Sequence, residues 1–439
     1  MKTTRYIASI AALLCLSISP ALPESASDAG NIPTVSLSSL QDQARKQITA
    51  TARIQLAPES AEAFNGIDSL EPAGSGHVPN YLRAMASMPG VPASFAHVMK
   101  TLLYGGFVAP EVKLAMGLRM AQLHSSPYVV AHMERYLRTT DRGREVLAAL
   151  QSGNFDSLQP ADRLALEYAE GLTGGVHGVS DSEFAKVRGF YNDSQIVEMT
   201  MTVCIFNYLD RFAEALNLPV ESWVLDSPAT EPEAAASLPT ARIGLISDGE
   251  MKATSDRLAA MKDPKVPSNG WGIGFANSMR ALLRCPELAD AWMNFGTTAR
   301  QSWVISREEQ LQVSFAVSLA NGCRYCTLHQ VLGLHKLGVS MGKLMAMKKD
   351  DDALTPREHA AVLFARKLAL DPPSITDADY QTLRAAFGEQ GALDVLMQIC
   401  SFAGFNRFTD GLHLPSEDAA VQTYREVYHT AQTSTSSLQ

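Results

Sequence analysis

The segment Cys323-Arg324-Tyr325-Cys326 carries the most evident chemistry in this 439-residue sequence. In a Cys-x-x-Cys pair one thiolate can attack, and the other thiol can resolve the product as a disulfide. A helical pattern runs on through Val331, Leu332, Leu334 and His335. That places Cys326 near a helix start, where backbone N–H groups and the dipole favour a thiolate. His329 follows three residues later on the same helical face, within reach as a proton relay. A structural disulfide and a metal site stay open as alternatives. Zinc would need two further ligands; His335 lies two turns along, and there is no second Cys pair. Cys204 and Cys400 sit in apolar segments (MTVCIF and LMQICSF), and Cys285 stands where the other half of the chain has Met88. All three read as core packing.

The elements that would position these groups occur twice. Arg83 to Pro89 (RAMASMP) corresponds to Arg280 to Pro286 (RALLRCP), 197 residues on, and Glu111 corresponds to Glu308. Ser126-Pro127-Tyr128-Val129-Val130-Ala131-His132 overlies Cys323-Arg324-Tyr325-Cys326-Thr327-Leu328-His329, aligning Tyr with Tyr and His with His. Farther on the offset is 196, pairing Cys204 with Cys400, Arg211-Phe212 with Arg407-Phe408 and Leu218-Pro219 with Leu414-Pro415. One register held from end to end indicates a tandem duplication. The expected organisation is a signal peptide over 1–21, a linker over 22–51, a first repeat over 52–228, a linker over 229–240, a second repeat over 241–428 and a polar tail over 429–439.

Each copy reads as helical. Pro160 and Pro356 stand at early helical positions ahead of apolar faces. Ser180 with Glu183, Thr376 with Asp379 and Ser306 with Glu309 have the spacing of helix N-termini, the last a full capping box. Residues 311–320 (LQVSFAVSLA) are apolar on most sides, which suits a central helix. No alternating run suggests a sheet. The expected fold is all-α, with two tandem six-helix-like repeats packed as an internal pseudo-dimer.

Composition narrows the function classes. Apolar residues make up 46% and charged residues 19%, an ordinary globular balance. The net charge is −9 with no basic block, which disfavours a nucleic-acid backbone or an anionic membrane as partner. Met1 to Arg5 is short and basic, Tyr6 to Ser19 is apolar, and Ser19-Pro20-Ala21 ends in small residues. That is the pattern of a secretory signal peptide cut after Ala21. The mature protein is expected to be periplasmic or secreted, with no membrane attachment after cleavage.

The segments SREEQLQVSFAVSLANGCRYCTLH, LTPREHAAVLFARKLA and FNRFTDGL resemble the alkylhydroperoxidase D-like / carboxymuconolactone decarboxylase family. The likeness extends over about 180 residues in each copy. It implies an all-α fold of two alkylhydroperoxidase D-like repeats that self-associates through its helices, and chemistry without metal or organic cofactor. By position, Cys326 would be the peroxidatic thiol, Cys323 the resolving thiol and His329 the relay. The family His stands four residues after the second Cys, where this sequence has Gln330. The family Glu stands at the position of Leu311, and Glu308, one turn earlier, is the substitute. Glu308 also reads simply as a first-turn carboxylate favoured by the helix dipole.

The first copy has Ser126 and Val129 in place of the thiols but keeps Tyr128, His132 and Glu111. It reads as a structural partner, with a ligand pocket around His124, His132 and Tyr128 left open. Arg407 could contact an anionic substrate but fits a helix-end polar network better. The resemblance implies a thiol peroxidase that reduces hydroperoxides, with an unknown dithiol as reductant. Two alternatives stand: a carboxymuconolactone decarboxylase-like lyase, and a non-catalytic exported helical assembly protein with a structural disulfide.

Overall fold

A computed structural model describes residues 35–65, 67, 77–225, 276–349 and 354–428. The expected signal peptide, the 229–240 linker and the 429–439 tail lie outside the described residues, as do residues 22–34 of the 22–51 segment. No strand occurs among the described residues, so the all-α expectation holds.

The N-terminal half contains α1 (Leu37–Gln47), α2 (Asn80–Ala84), α3 (Val91–Tyr104), α4 (Pro110–Leu123), α5 (Pro127–Leu137), α6 (Asp141–Ser152), α7 (Pro160–Gly174), α8 (Asp181–Phe190), α9 (Asp193–Leu216) and α10 (Ser222–Leu225). The C-terminal half contains α11 (Asn277–Leu282), α12 (Pro286–Gln301), α13 (Arg307–Ala320), α14 (Arg324–Lys336), α15 (Met341–Lys349), α16 (Pro356–Leu370), α17 (Asp377–Gly411) and α18 (Asp418–Tyr428). Each half thus has more helices than six. The surplus includes the short α2, α10 and α11.

Local chemistry sets the boundaries. Pro160 and Pro356 open α7 and α16, where a missing N–H removes no helical bond. Ser180–Glu183, Ser306–Glu309 and Thr376–Asp379 all close reciprocal capping boxes. Asn192–Gln195 and Thr355–Glu358 form two more. Gly388 adopts a positive φ inside α17, which splits that long helix at a kink.

Helix α9 and the part of α17 after the Gly388 kink form the centre and are buried on nearly every side. They cross where Gly404 lies over the Cys204 carbonyl, so closely that an added Cβ would overlap the backbone. The halves also meet at Phe95 of α3 and Phe295 of α12, whose ring centroids are 4.9 Å apart. Two buried arginines reach across in equivalent ways. Arg211 donates to Ala369 O at 2.9 Å, and Arg407 donates to Thr173 O at 3.3 Å. These acceptors are themselves 196 residues apart and lie near the C-terminal ends of α16 and α7, where helix carbonyls lack intrahelical donors.

Gly404→Ala is expected to force the α9–α17 crossing apart and cost about 1–3 kcal/mol. Chemical denaturation would read this as a lower midpoint at unchanged slope.

Candidate active site

The site forms where α13 turns into α14. After Ala320 the chain reverses through Asn321 and Gly322, whose φ of 72° favours glycine. Asn321 donates to Asn406 Oδ1 at 2.9 Å, and Asn406 donates to Ser318 Oγ at 3.1 Å, tying the turn to α17. Cys323 is then the N-cap of α14, and its sulfur accepts the Cys326 N–H at 3.3 Å. This is the geometry in which Ser, Thr or Asp normally satisfies an orphan donor.

The two thiols lie together. Each sulfur is 3.3 Å from Thr409 Oγ1, which α17 supplies. Both are free and buried, with Phe405, Leu414 and Tyr325 packed around them. Burial, with Cys326 next to it, pushes the Cys323 thiol well above its ordinary range. The Asp410 carboxyl, one residue beyond Thr409, lies beside Cys323 and is pushed up to about 6 by burial.

His329 is placed differently from a simple relay. Its Nδ1 is 2.7 Å from Tyr325 O, and its Nε2 is 2.5 Å from Glu417 Oε2. The rings of Tyr325 and His329 stack with centroids 4.2 Å apart. Glu417 also accepts the Tyr325 hydroxyl at 3.1 Å and the Asn277 backbone N–H at 2.6 Å. One carboxylate therefore gathers α11, α14 and the start of α18. The N-terminal half repeats this set: Glu221 accepts Tyr128 OH at 2.9 Å, meets His132 Nε2 at 3.0 Å and accepts the Asn80 N–H. A set present with and without thiols holds helices together in both halves.

Glu308 sits away from the thiols. It pairs with Lys343 at 2.7 Å and accepts from Gln312 at 3.1 Å, and Lys343 also binds Glu358. The α13–α14 turn places it toward the far end of α14, where Leu311 already packs on Gly333. The structure thus brings Cys323 and Cys326 together, gives His329 to Glu417 and gives Glu308 to Lys343. Cys204 and Cys400 are buried free thiols in the core, and burial pushes each above the ordinary range.

Residues 286–367 match the model of the carboxymuconolactone decarboxylase family. The similarity to that family is confined to this segment, about a fifth of the chain. The matched segment holds both thiols, His329 and Glu308, but it ends before Thr409, Asp410 and Glu417, which complete the site. A solved structure of the debrominase Bmp8, a cysteine-to-alanine variant in complex with 2,3,4-tribromopyrrole, is 21% identical. The match covers 42% of this chain and 95% of that chain, with a TM-score of 0.36. No curated protein sequence matches the chain significantly.

Sequence reasoning did not single out Glu417 or Thr409, and it reads Asp410 with Asn406 and Arg407 as a helix-end polar network rather than as a neighbour of the thiols. The register could have flagged Glu417, because Glu221 and Glu417 each stand two residues after the shared Leu-Pro and Ser222 and Asp418 follow them.

Burial raises the Glu417 carboxyl, but its hydrogen bonds with His329 and the Asn277 N–H together outweigh that and hold it down to about 2. A carboxyl with a depressed folded-state pKa stabilises the fold above its unfolded value and loses that contribution as pH falls through the folded one. Stability is therefore expected to fall between about pH 5 and pH 2, by about 1–2 kcal/mol after allowing for solvent screening. Glu417→Gln should remove that increment at neutral pH and flatten the acid limb, as read by urea denaturation across the range.

Proposed function

We propose that the protein is an exported thiol oxidoreductase of peroxidase type, built from two duplicated family repeats of which only the second is reactive. The observation that carries the proposal is the thiol pair: two free sulfurs at the start of α14, each 3.3 Å from the one Thr409 hydroxyl, in an apolar enclosure. Cys326 attacks the O–O bond of a hydroperoxide, an alcohol leaves, and Cys326 becomes a sulfenic acid. Cys323 then displaces water from it to form the disulfide. A dithiol partner on the export side reduces that disulfide and closes the cycle. In this reading the Glu417–His329–Tyr325 set fixes the first turns of α14 and does not touch the peroxide. The reciprocal contacts of Arg211 and Arg407 favour a pseudo-dimeric arrangement of the repeats. Further self-association through outer helical faces belongs to the same proposal.

The test is direct. The reduced mature protein is mixed with hydrogen peroxide or an organic hydroperoxide, and free thiols are counted against time. Two of the five thiols at positions 204, 285, 323, 326 and 400 should vanish together, much faster than a free thiol in solution. Loss no faster than that of free cysteine removes the proposal.

One observation favours a second reading. In the N-terminal half, His132 Nδ1 is buried without a hydrogen-bond partner, and His132 lines a small cavity with Tyr81, Val129 and Tyr136. The cavity has room for about one water, so cofactor-free lyase chemistry on a lactone acid would require it to open. Such an activity should survive in the double variant Cys323→Ser/Cys326→Ser.

A further inference from the structure

We infer that the Asp410 carboxylate and His177, a residue of the other half of the chain, form the route by which the Cys323 thiol passes its proton to solvent as the disulfide closes. The inference rests on the dithiol reading above.

Cys323 has no exposed surface and cannot give its proton to water directly. Its polar neighbours are Cys326, Thr409 Oγ1 and the Asp410 carboxyl. Asp410 Oδ2 is buried and has no hydrogen-bond partner. His177 Nε2 lies 3.9 Å from that oxygen and 3.3 Å from Gly322 O. His177 stands on the turn between α7 and α8, and its side chain is 66% exposed. The thiol, the carboxylate and the imidazole therefore form a line from the buried sulfur to water.

The other groups facing Asp410 are the Arg324 backbone N–H and His413, which pairs with Asp181 at 3.4 Å. Arg407 lies on the same helix and interacts with Cys323 through its charge. Burial raises Asp410 only to about 6, so at neutral pH it is ionised yet able to hold a proton briefly. Cys323, raised well above its ordinary range, needs such a base.

The first half supplies an internal comparison. There Glu214 takes the place of Asp410 beside Ser126, which takes the place of Cys323. At the positions equivalent to His177 and His413 the sequence has Pro373 and Asn217. The carboxylate occurs on both sides, but the histidines occur only where there is a thiol to deprotonate.

The step balances. Cys323 Sγ–H and Cys326 sulfenic acid give one S–S bond and one water. The S–O bond breaks, the Cys326 sulfur is reduced and the Cys323 sulfur is oxidised. The thiol proton goes to Asp410 and on through His177, and the departing hydroxide takes up a proton. The only oxidant consumed is the hydroperoxide that made the sulfenic acid.

The test uses the full mature chain with Asp410→Asn and His177→Gln. Reduced protein is mixed with hydrogen peroxide and, separately, with oxidised glutathione. Disulfide closure is then followed by quenched mass analysis across pH 5–9. Asp410→Asn should slow closure about 100-fold and flatten its rise with pH. His177→Gln, an exposed change that leaves folding intact, should slow closure several-fold at low buffer concentration, and added imidazole should restore it. In a Cys323→Ser background neither change should alter the first oxidation of Cys326. Unaltered closure with both oxidants overturns the inference, as does slowing that persists without Cys323. Closure that depends on Asp410 with glutathione disulfide, in a protein inert to peroxide, keeps the relay and removes the peroxidase reading. A pair that closes with neither oxidant removes both.

Discussion

Cys326→Ser is expected to abolish hydroperoxide turnover, lowering the rate about 1,000-fold or more, as the loss of a nucleophile does. A serine hydroxyl stays protonated at any working pH and does not attack an O–O bond. Cys323→Ser should behave differently. The first oxidation continues, one thiol is lost, and a sulfenic acid persists at Cys326 because its partner cannot condense with it. The asymmetry follows from position. Cys326 lies inside the first turn of α14, close to backbone N–H groups, whereas Cys323 is its cap. Cys323 is also the more deeply buried sulfur, and its proton is held tightly. Stopped-flow peroxide consumption with chemical trapping of the sulfenic acid reads both variants. A trapped sulfenic acid at Cys323 in Cys326→Ser, with none at Cys326 in Cys323→Ser, would reverse the order of the thiols.

Lys113→Met is expected to destabilise the fold by about 3–5 kcal/mol, the usual effect of stranding one member of a buried ion pair. The Lys113 ammonium has no exposed surface; it pairs with Glu198 and donates to Gly105 O at 2.7 Å. Glu198 also accepts the N–H groups of Phe107 (2.5 Å) and Val108 (3.2 Å). Burial lowers the Lys113 pKa and raises that of Glu198, and their attraction opposes both shifts. Removing the ammonium leaves a carboxylate that must take up a proton or draw in water. The double change Lys113→Met/Glu198→Gln should recover much of the loss. A double-mutant cycle by urea denaturation gives the coupling energy.

Much of the fold was legible because its signals are local. Pro160, Pro356 and the Ser180, Ser306 and Thr376 caps each act within one turn, so a few neighbouring residues suffice to place them. The apolar run 311–320 falls in α13, which is buried from Gln310 to Ser318. The thiol pair was legible for the same reason, since four consecutive residues carry it. The rest of the site comes from far along the chain. Thr409 and Glu417 meet the thiols and His329 across more than eighty residues, and His177 reaches Gly322 across 145. Helical periodicity says which face is apolar, not which helix covers it. His329 shows the difference most clearly. Its spacing from Cys326 is correct for a shared face, yet a carboxylate at the start of α18 takes its outer nitrogen. Glu308 shows it too, because Lys343 on α15 lies closer to it than any sulfur-bearing turn.

The tight crossing at Gly404 has a thermodynamic consequence. Two separate chains that meet through such a surface come apart on dilution, and their unfolding midpoint moves with concentration. Here both crossing helices belong to one polypeptide, so their encounter is intramolecular and has a fixed effective concentration. This interface stays assembled however dilute the surroundings.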